Sequence, residues 1–210
     1  MKITVLNFET DFPIDFFLAL NDCPSKKSER YEWGEKFTKE WGLEYRSGVS
    51  RGVFIFDDFV IKFDIDDDGN GCEEEYSRFY SARDYDIERI LLPIEEWYFS
   101  PRKVMFYIQP RCGEAVYDNN FNEYSDTYYE ISERLKNNGY CERKVEKFAS
   151  EMPYTGVNTI WLARAVQYYG WKFMRRFMDW MQDYCISDLH SANIGFVGNG
   201  RPVIFDYAGY

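Results

Sequence analysis

Ile186-Ser187-Asp188-Leu189-His190-Ser191-Ala192-Asn193-Ile194-Gly195-Phe196-Val197-Gly198-Asn199-Gly200-Arg201-Pro202-Val203-Ile204-Phe205-Asp206-Tyr207-Ala208-Gly209-Tyr210 is the stretch that decides the fold. Asn199-Gly200 is the strongest short-range hairpin signal, because both positions tolerate the positive φ of a type I′ turn. It separates two short apolar runs, Ile194–Val197 and Pro202–Phe205, that read as strands. A two-residue turn sets Gly198 opposite Arg201 and hence Asn193 opposite Asp206; a three-residue turn shifts that register. Opposed residues have Cβ atoms about 5 Å apart, so an amide oxygen and a carboxylate meet at the open end of the hairpin. Two hard oxygen donors side by side, with room for water and phosphate, suit Mg²⁺. Asp188, five residues before Asn193, brings a second carboxylate towards the same end.

Upstream, the chain reads as helix. From Asn158, a plausible N-cap, apolar residues recur at Ile160, Trp161, Ala165, Val166, Tyr169, Phe173, Phe177, Met178 and Met181, one wide face of a long amphipathic helix. Gly170 in its middle costs about 1 kcal/mol relative to alanine. A stripe of this kind is core far more often than a cofactor site.

Residues 45–110 have the texture of strand. Gly48 and Gly52 bracket a turn; Val53–Phe56 and Phe59–Phe63 flank the turn-favouring pair Asp57-Asp58 and read as a hairpin. Lys62 is the one charge inside the second run. After the acidic turn Asp66-Asp67-Asp68-Gly69, residues 73–83 read as helix and 104–108 as a further strand. The first forty-odd residues are ambiguous: an apolar stretch, Phe12 to Leu20, reads as a short helix and leads to a charged connector through Lys26–Arg30.

Bulk properties bound the function. At 210 residues the chain is one large domain or two fused lobes, able to bury a core without metal or disulfide. With 36 acidic against 25 basic residues, its net charge of −11 has the wrong sign for nucleic acid or anionic lipid. No apolar run approaches the ~20 residues of a membrane span, and the N-terminus lacks a signal-peptide core, so the reading places the protein in the cytoplasm. The five cysteines, Cys23, Cys72, Cys112, Cys141 and Cys185, are scattered and include no Cys-x-x-Cys pair; reduced structural thiols are expected. A single histidine, His190, excludes most histidine triads and multi-histidine metal sites, so carboxylates, lysine and amides must carry any chemistry.

The order of these features resembles the protein-kinase-like superfamily. Asp188 to Asn193 resembles the kinase catalytic loop, and Asp206-Tyr207-Ala208 resembles the Asp-Phe-Gly metal motif. The Asp-Leu-His-x-x-Asn wording is similar to that of aminoglycoside phosphotransferases and of short kinase-like proteins of bacteria and their viruses. The resemblance implies an α+β, two-lobed kinase-like fold: an N-terminal extension over 1–44, a small β-rich lobe and hinge over 45–110, and a reduced helical lobe over 111–210. It also implies residue roles. Lys62 would hold the α- and β-phosphates of ATP with Glu75 as its ion-pair partner; Gly48, Ser50 and Gly52 would cover the phosphates; and Phe106–Pro110, Ile108 among them, would be the hinge that meets adenine. Asp188 would be the catalytic base, Asn193 and Asp206 the Mg²⁺ ligands, and His190 a contact to the transferred phosphate.

The sequence departs from the family where His-Arg before the base is replaced by Ile186-Ser187, where Tyr207 and Ala208 replace Phe and Gly, and where the chain stops at Tyr210, at which acceptor-binding helices begin in kinases. The implied function is phosphotransfer from Mg-ATP to a hydroxyl of a protein or small-molecule acceptor, with a partner protein supplying the missing surface. The alternative is a non-catalytic nucleotide-binding pseudokinase acting as an interaction or inhibitor module; mimicry of nucleic acid by the acidic surface is a third reading.

Overall fold

Alternation along two strands, β2 (Arg51–Ile55) and β3 (Phe59–Asp64), determines what each face of the larger sheet carries. The computed structural model describes residues 11–48, 50–65, 71–114, 137, 142–152, 158–187, 189–190, 192–197 and 200–207. With β1 (Glu44–Ser47), β4 (Glu96–Phe99) and β5 (Met105–Pro110), these strands form a five-stranded antiparallel sheet in the order β1-β2-β3-β5-β4. The register sets Gly52 beside Phe63 and Phe63 beside Phe106, then Phe54 beside Ile61 and Ile61 beside Ile108, giving one continuous apolar face. The intervening positions, among them Arg51, Lys62 and Tyr107, lie on the other face.

Residues from Phe12 to Trp41 pack on the apolar face. Helices α1 (Ile14–Leu20) and α2 (Arg30–Trp41) supply Phe16, Leu20 and Phe37 to the same buried cluster as Phe54, Ile61, Phe106 and Ile108, and Phe37 stacks on Phe54 at 4.7 Å. The sequence reading extracts no helix from residues 30–41, although Trp33, Phe37 and Trp41 recur at four-residue spacing, the signature of one buried helical face. Arg30, read as part of a connector, is buried. Its guanidinium donates to the carbonyls of Pro24 and Ser25 and, at 2.8 Å, to that of Asp64 at the end of β3. The fork geometry of arginine suits this triple anchoring of loop to sheet.

By its contacts the chain divides into two compact units, Met1–Ser77 with Pro93–Arg111, and Arg78–Leu92 with Cys112–Tyr210. Helix α3 (Gly71–Ser81) crosses the first of these boundaries in sequence. The second unit holds α4 (Glu142–Glu151), α5 (Thr159–Tyr169), α6 (Trp171–Asp183) and a three-stranded antiparallel sheet of β6 (Gly113–Glu114), β7 (Ile194–Val197) and β8 (Arg201–Ile204), in that order. Trp161 of α5 is fully buried and donates its indole N–H to the Gly195 carbonyl of β7, while Trp180 of α6 donates to Ser81 Oγ. The architecture is thus mixed α+β. Among the described residues no helix is long and apolar enough to cross a membrane, and the described cysteines are thiols rather than disulfides.

The expected long helix from Asn158 is two helices. Gly170 sits at φ 83° and ψ 158°, a conformation essentially confined to glycine, and there the chain leaves α5 and enters α6. The apolar periodicity runs through the break because both helices bury the same kind of stripe. Asn158 does cap α5: its Oδ1 accepts the N–H groups of Ile160 and Trp161, each at 3.0 Å. Asn158→Ala is expected to cost about 1 kcal/mol in urea-induced unfolding.

Candidate functional site

The polar face of the five-stranded sheet gathers a buried charge network around one carboxylate. Lys62 lies between Val53 and Tyr107 across the sheet, and Arg51 is two residues along β2 from Val53, so all three share a face. Glu75 comes from α3; Phe79, one turn on, and Ala82, just past the end of the helix, are also buried. Lys62 Nζ lies 3.4 Å from Glu75 Oε1; Arg51 Nη1 pairs with Glu75 Oε2, and the Tyr107 hydroxyl donates to the same oxygen. Lys62 Nζ also stands 5.7 Å from the Tyr107 ring centroid. Glu75 is wholly excluded from solvent, and Arg51 and Lys62 nearly so. Burial, reinforced by the Glu75 carboxylate, pushes the Tyr107 hydroxyl well above the ordinary tyrosine range, which keeps it a donor.

The Lys62–Glu75 contact is the pairing that the resemblance implies. Arg51 and Tyr107 were not read as site residues, though the hairpin register around Asp57-Asp58 would have placed Arg51 on the same face as Lys62. Beside them Asp64 Oδ1 accepts the Cys72 N–H at 3.0 Å, tying the end of β3 to the start of α3; burial raises the Asp64 pKa despite that bond.

Gly48, Ser50, Gly52 and Ile108 each have a local structural setting. Gly48 and Ser50 lie in the tight connection between β1 and β2, closed by the Gly48 N–H to the Arg51 carbonyl at 2.9 Å; Val49 is outside the described residues. At Gly52 an added Cβ would come within 2.6 Å of Phe63 Cζ and 2.9 Å of the Tyr45 hydroxyl, so packing alone requires glycine there, whereas nothing lies within 4 Å at Gly48. Gly52→Ala is therefore expected to cost about 1–3 kcal/mol and Gly48→Ala to stay within about 0.5 kcal/mol, as read by thermal unfolding. Ile108 of the expected hinge is fully buried in the apolar cluster, and its carbonyl accepts the Glu95 N–H at 2.9 Å. The expected hinge contact is one of backbone groups and asks nothing of this side chain.

No family model, curated protein or solved structure matches this chain.

In the second unit the loop after α6 is shaped by its helix end. Cys185, at φ 51°, takes the left-handed position of a Schellman cap, with the Ile186 N–H on the Met181 carbonyl at 2.8 Å and the Cys185 N–H on Gln182 at 3.3 Å. Ile186 and Leu189 are buried anchors; Asp188 lies outside the described residues. His190 Nδ1 accepts the Ala192 N–H at 3.1 Å, and its carbonyl accepts the Asn193 N–H at 3.0 Å. Its Nδ1 is therefore an acceptor within its own loop.

The hairpin register differs by one from the two-residue turn expected at Asn199-Gly200. Val197 pairs with Arg201 and Ile194 with Ile204, leaving a three-residue loop, of which Gly198 and Asn199 are outside the described residues and Gly200 has φ 77°. A glycine in the left-handed region at the end of a three-residue loop is the next commonest hairpin closure, and it selects this register. Extended by one pair, Asn193 faces Phe205 rather than Asp206. The two residues remain neighbours: the Asn193 carbonyl accepts the N–H of Phe205 at 3.0 Å and that of Asp206 at 3.4 Å. Tyr207, fully buried, donates its hydroxyl to the Leu92 carbonyl, and its own carbonyl accepts from Arg78; Ala208 and Gly209 are outside the described residues.

Among the described residues no group of three or more His, Cys, Asp or Glu side chains is gathered as a metal site. The observed contacts bring Asn193 and Asp206 together through the backbone, and the register sets Phe205, not Asp206, opposite Asn193; the directly opposed pair of oxygens expected for Mg²⁺ is therefore not what the hairpin forms.

Proposed function

We propose that the protein binds Mg-ATP and transfers its γ-phosphoryl group to a hydroxyl acceptor, as a kinase-like phosphotransferase. The observation that carries this reading is the buried Lys62–Glu75 pair at 3.4 Å. A buried ion pair contributes little stability beyond that of an apolar pair of equal size, so stability alone does not account for placing one in a small sheet. Lys62 holds the phosphates as a point charge and Glu75 fixes its position. The order along the chain, from glycine turn through strand lysine, helix glutamate and helical segment to the Asp188–Asn193 loop and Asp206, supports the same reading.

Asn193 and Asp206 are the residues that would hold Mg²⁺, which when bound neutralises phosphate charge. Asp188 orients the acceptor hydroxyl and takes its proton as the oxygen–phosphorus bond forms and the bond to the β-phosphate bridging oxygen breaks, releasing ADP. Such catalysis is chiefly positioning and charge stabilisation, so few residues suffice.

The pseudokinase reading draws on one observation: Arg51 and Tyr107 occupy the second oxygen of Glu75, so the network is satisfied within the protein. Incubation with γ-labelled ATP, Mg²⁺ and a panel of protein and small-molecule alcohols separates the two. Labelled product that is lost in Asp188→Ala supports phosphotransfer. Nucleotide binding without transfer to any acceptor or to the protein itself supports the pseudokinase.

A further inference from the structure

Among the described residues Glu75 has three partners, and they are unequal. Arg51 Nη1 and the Tyr107 hydroxyl both bond its Oε2, whereas Lys62 Nζ stands 3.4 Å from Oε1. A charge-assisted bond from an ammonium to a carboxylate is about 2.7–2.9 Å long, so Lys62 is the loosest of the three. Asp64, which faces Arg51 across the β2–β3 pairing, is engaged elsewhere: its Oδ1 accepts the Cys72 N–H at 3.0 Å.

Side-chain chemistry gives the same division. A guanidinium is planar and permanently charged and holds a carboxylate in one orientation, while an ammonium is a compact charge on a flexible four-carbon stem. Tyr107 adds a hydroxyl that keeps its proton, from a strand hydrogen-bonded to β3 on one side and β4 on the other. Glu75 is wholly buried, and a buried carboxylate stripped of its cation is costly. If Lys62 were its main anchor, turning that lysine to a phosphate would leave such a carboxylate behind. With Arg51 and Tyr107 on Oε2, Glu75 keeps a cation and a donor whichever way Lys62 turns.

We infer that Arg51 and Tyr107 are positioning residues of the nucleotide site: they anchor Glu75, so that Lys62 can exchange the carboxylate for phosphate oxygens. The inference rests on the proposed nucleotide binding and goes beyond it in giving the Glu75 anchor to Arg51 and Tyr107 rather than to Lys62.

The test is a set of double-mutant cycles on the full chain, each crossing Glu75→Gln with one partner and read in two ways. In urea unfolding without nucleotide, Glu75→Gln should couple more strongly to Arg51→Met and to Tyr107→Phe than to Lys62→Met. In titration with ATP and Mg²⁺, Tyr107→Phe should weaken binding about tenfold, the order of one hydrogen bond to a charged group. In the Glu75→Gln background the same change should alter affinity by less than about twofold, because the hydroxyl acts through Glu75. Arg51→Lys should recover part of the affinity that Arg51→Met loses, since it returns a cation to Oε2; Tyr107→Phe, which keeps the ring, carries the test if Arg51→Met fails to fold. Stronger coupling of Glu75 to Lys62 than to Arg51 and Tyr107, or an equal loss of ATP affinity from Tyr107→Phe in both backgrounds, would overturn the inference and leave the nucleotide reading standing. Absence of ATP binding by the wild type would overturn both.

Discussion

Glu75→Ala is expected to lower folding stability by about 3–5 kcal/mol, the range seen when one partner of a buried ion pair is removed. The magnitude follows from what is left behind. Arg51 and Lys62 would remain buried on the sheet face without the carboxylate they share, and Tyr107 would lose its acceptor. Removing one member therefore costs more than the network itself contributes, since desolvation of the remaining charges is no longer offset. Replacing the whole set by apolar residues, in Arg51→Met/Lys62→Met/Glu75→Leu/Tyr107→Phe, should restore most of the loss in urea titration. The same variant should bind no nucleotide. Recovery of stability without recovery of binding would show that the charges serve a ligand rather than the fold.

Asp206→Ala is expected to leave the fold intact while reducing phosphotransfer by about 10²–10³-fold, the usual cost of removing one group that stabilises charge in a transition state. Asp206 is only partly buried, and the substitution keeps the backbone N–H that donates to the Asn193 carbonyl. Single-turnover kinetics with γ-labelled ATP, run beside circular dichroism, measures both quantities. Asn193→Ala should weaken transfer as well. Because Asn193 is buried in the loop where β7 begins, some loss of stability is expected to accompany it.

The parts of this fold that could be read from the sequence are those set by local periodicity. The Asp57-Asp58 hairpin, the helix carrying Glu75 and the cap at Asn158 each rest on a pattern a few residues long, and each is present. What escaped depends on contacts distant in sequence or on one backbone angle. The periodic stripe from Ile160 to Met181 cannot reveal that Gly170 leaves helical space, because the stripe is the same on both sides of the break. Asn199-Gly200 signals a turn without fixing whether two or three residues form it, and one residue is enough to exchange Phe205 for Asp206 opposite Asn193. Lys62 and Glu75 were paired by the resemblance to kinases, and Glu75 was preferred to Glu73 and Glu74 because Phe79 and Ala82, four and seven residues on, give it the inward face. Arg51 was hidden beside a glycine that looked like part of a loop, and Tyr107 inside an apolar strand, where its hydroxyl is the only polar atom to give it away.

The proposed function requires phosphate binding by Lys62 with Glu75 and Mg²⁺ binding by Asn193 with Asp206. Isothermal titration of ATP into the purified protein, with and without Mg²⁺ and with Asp206→Ala alongside, tests it most directly. The account predicts binding that requires Mg²⁺ and that the variant loses while remaining folded. Absence of heat in both conditions, or binding equally strong in Asp206→Ala, would contradict it.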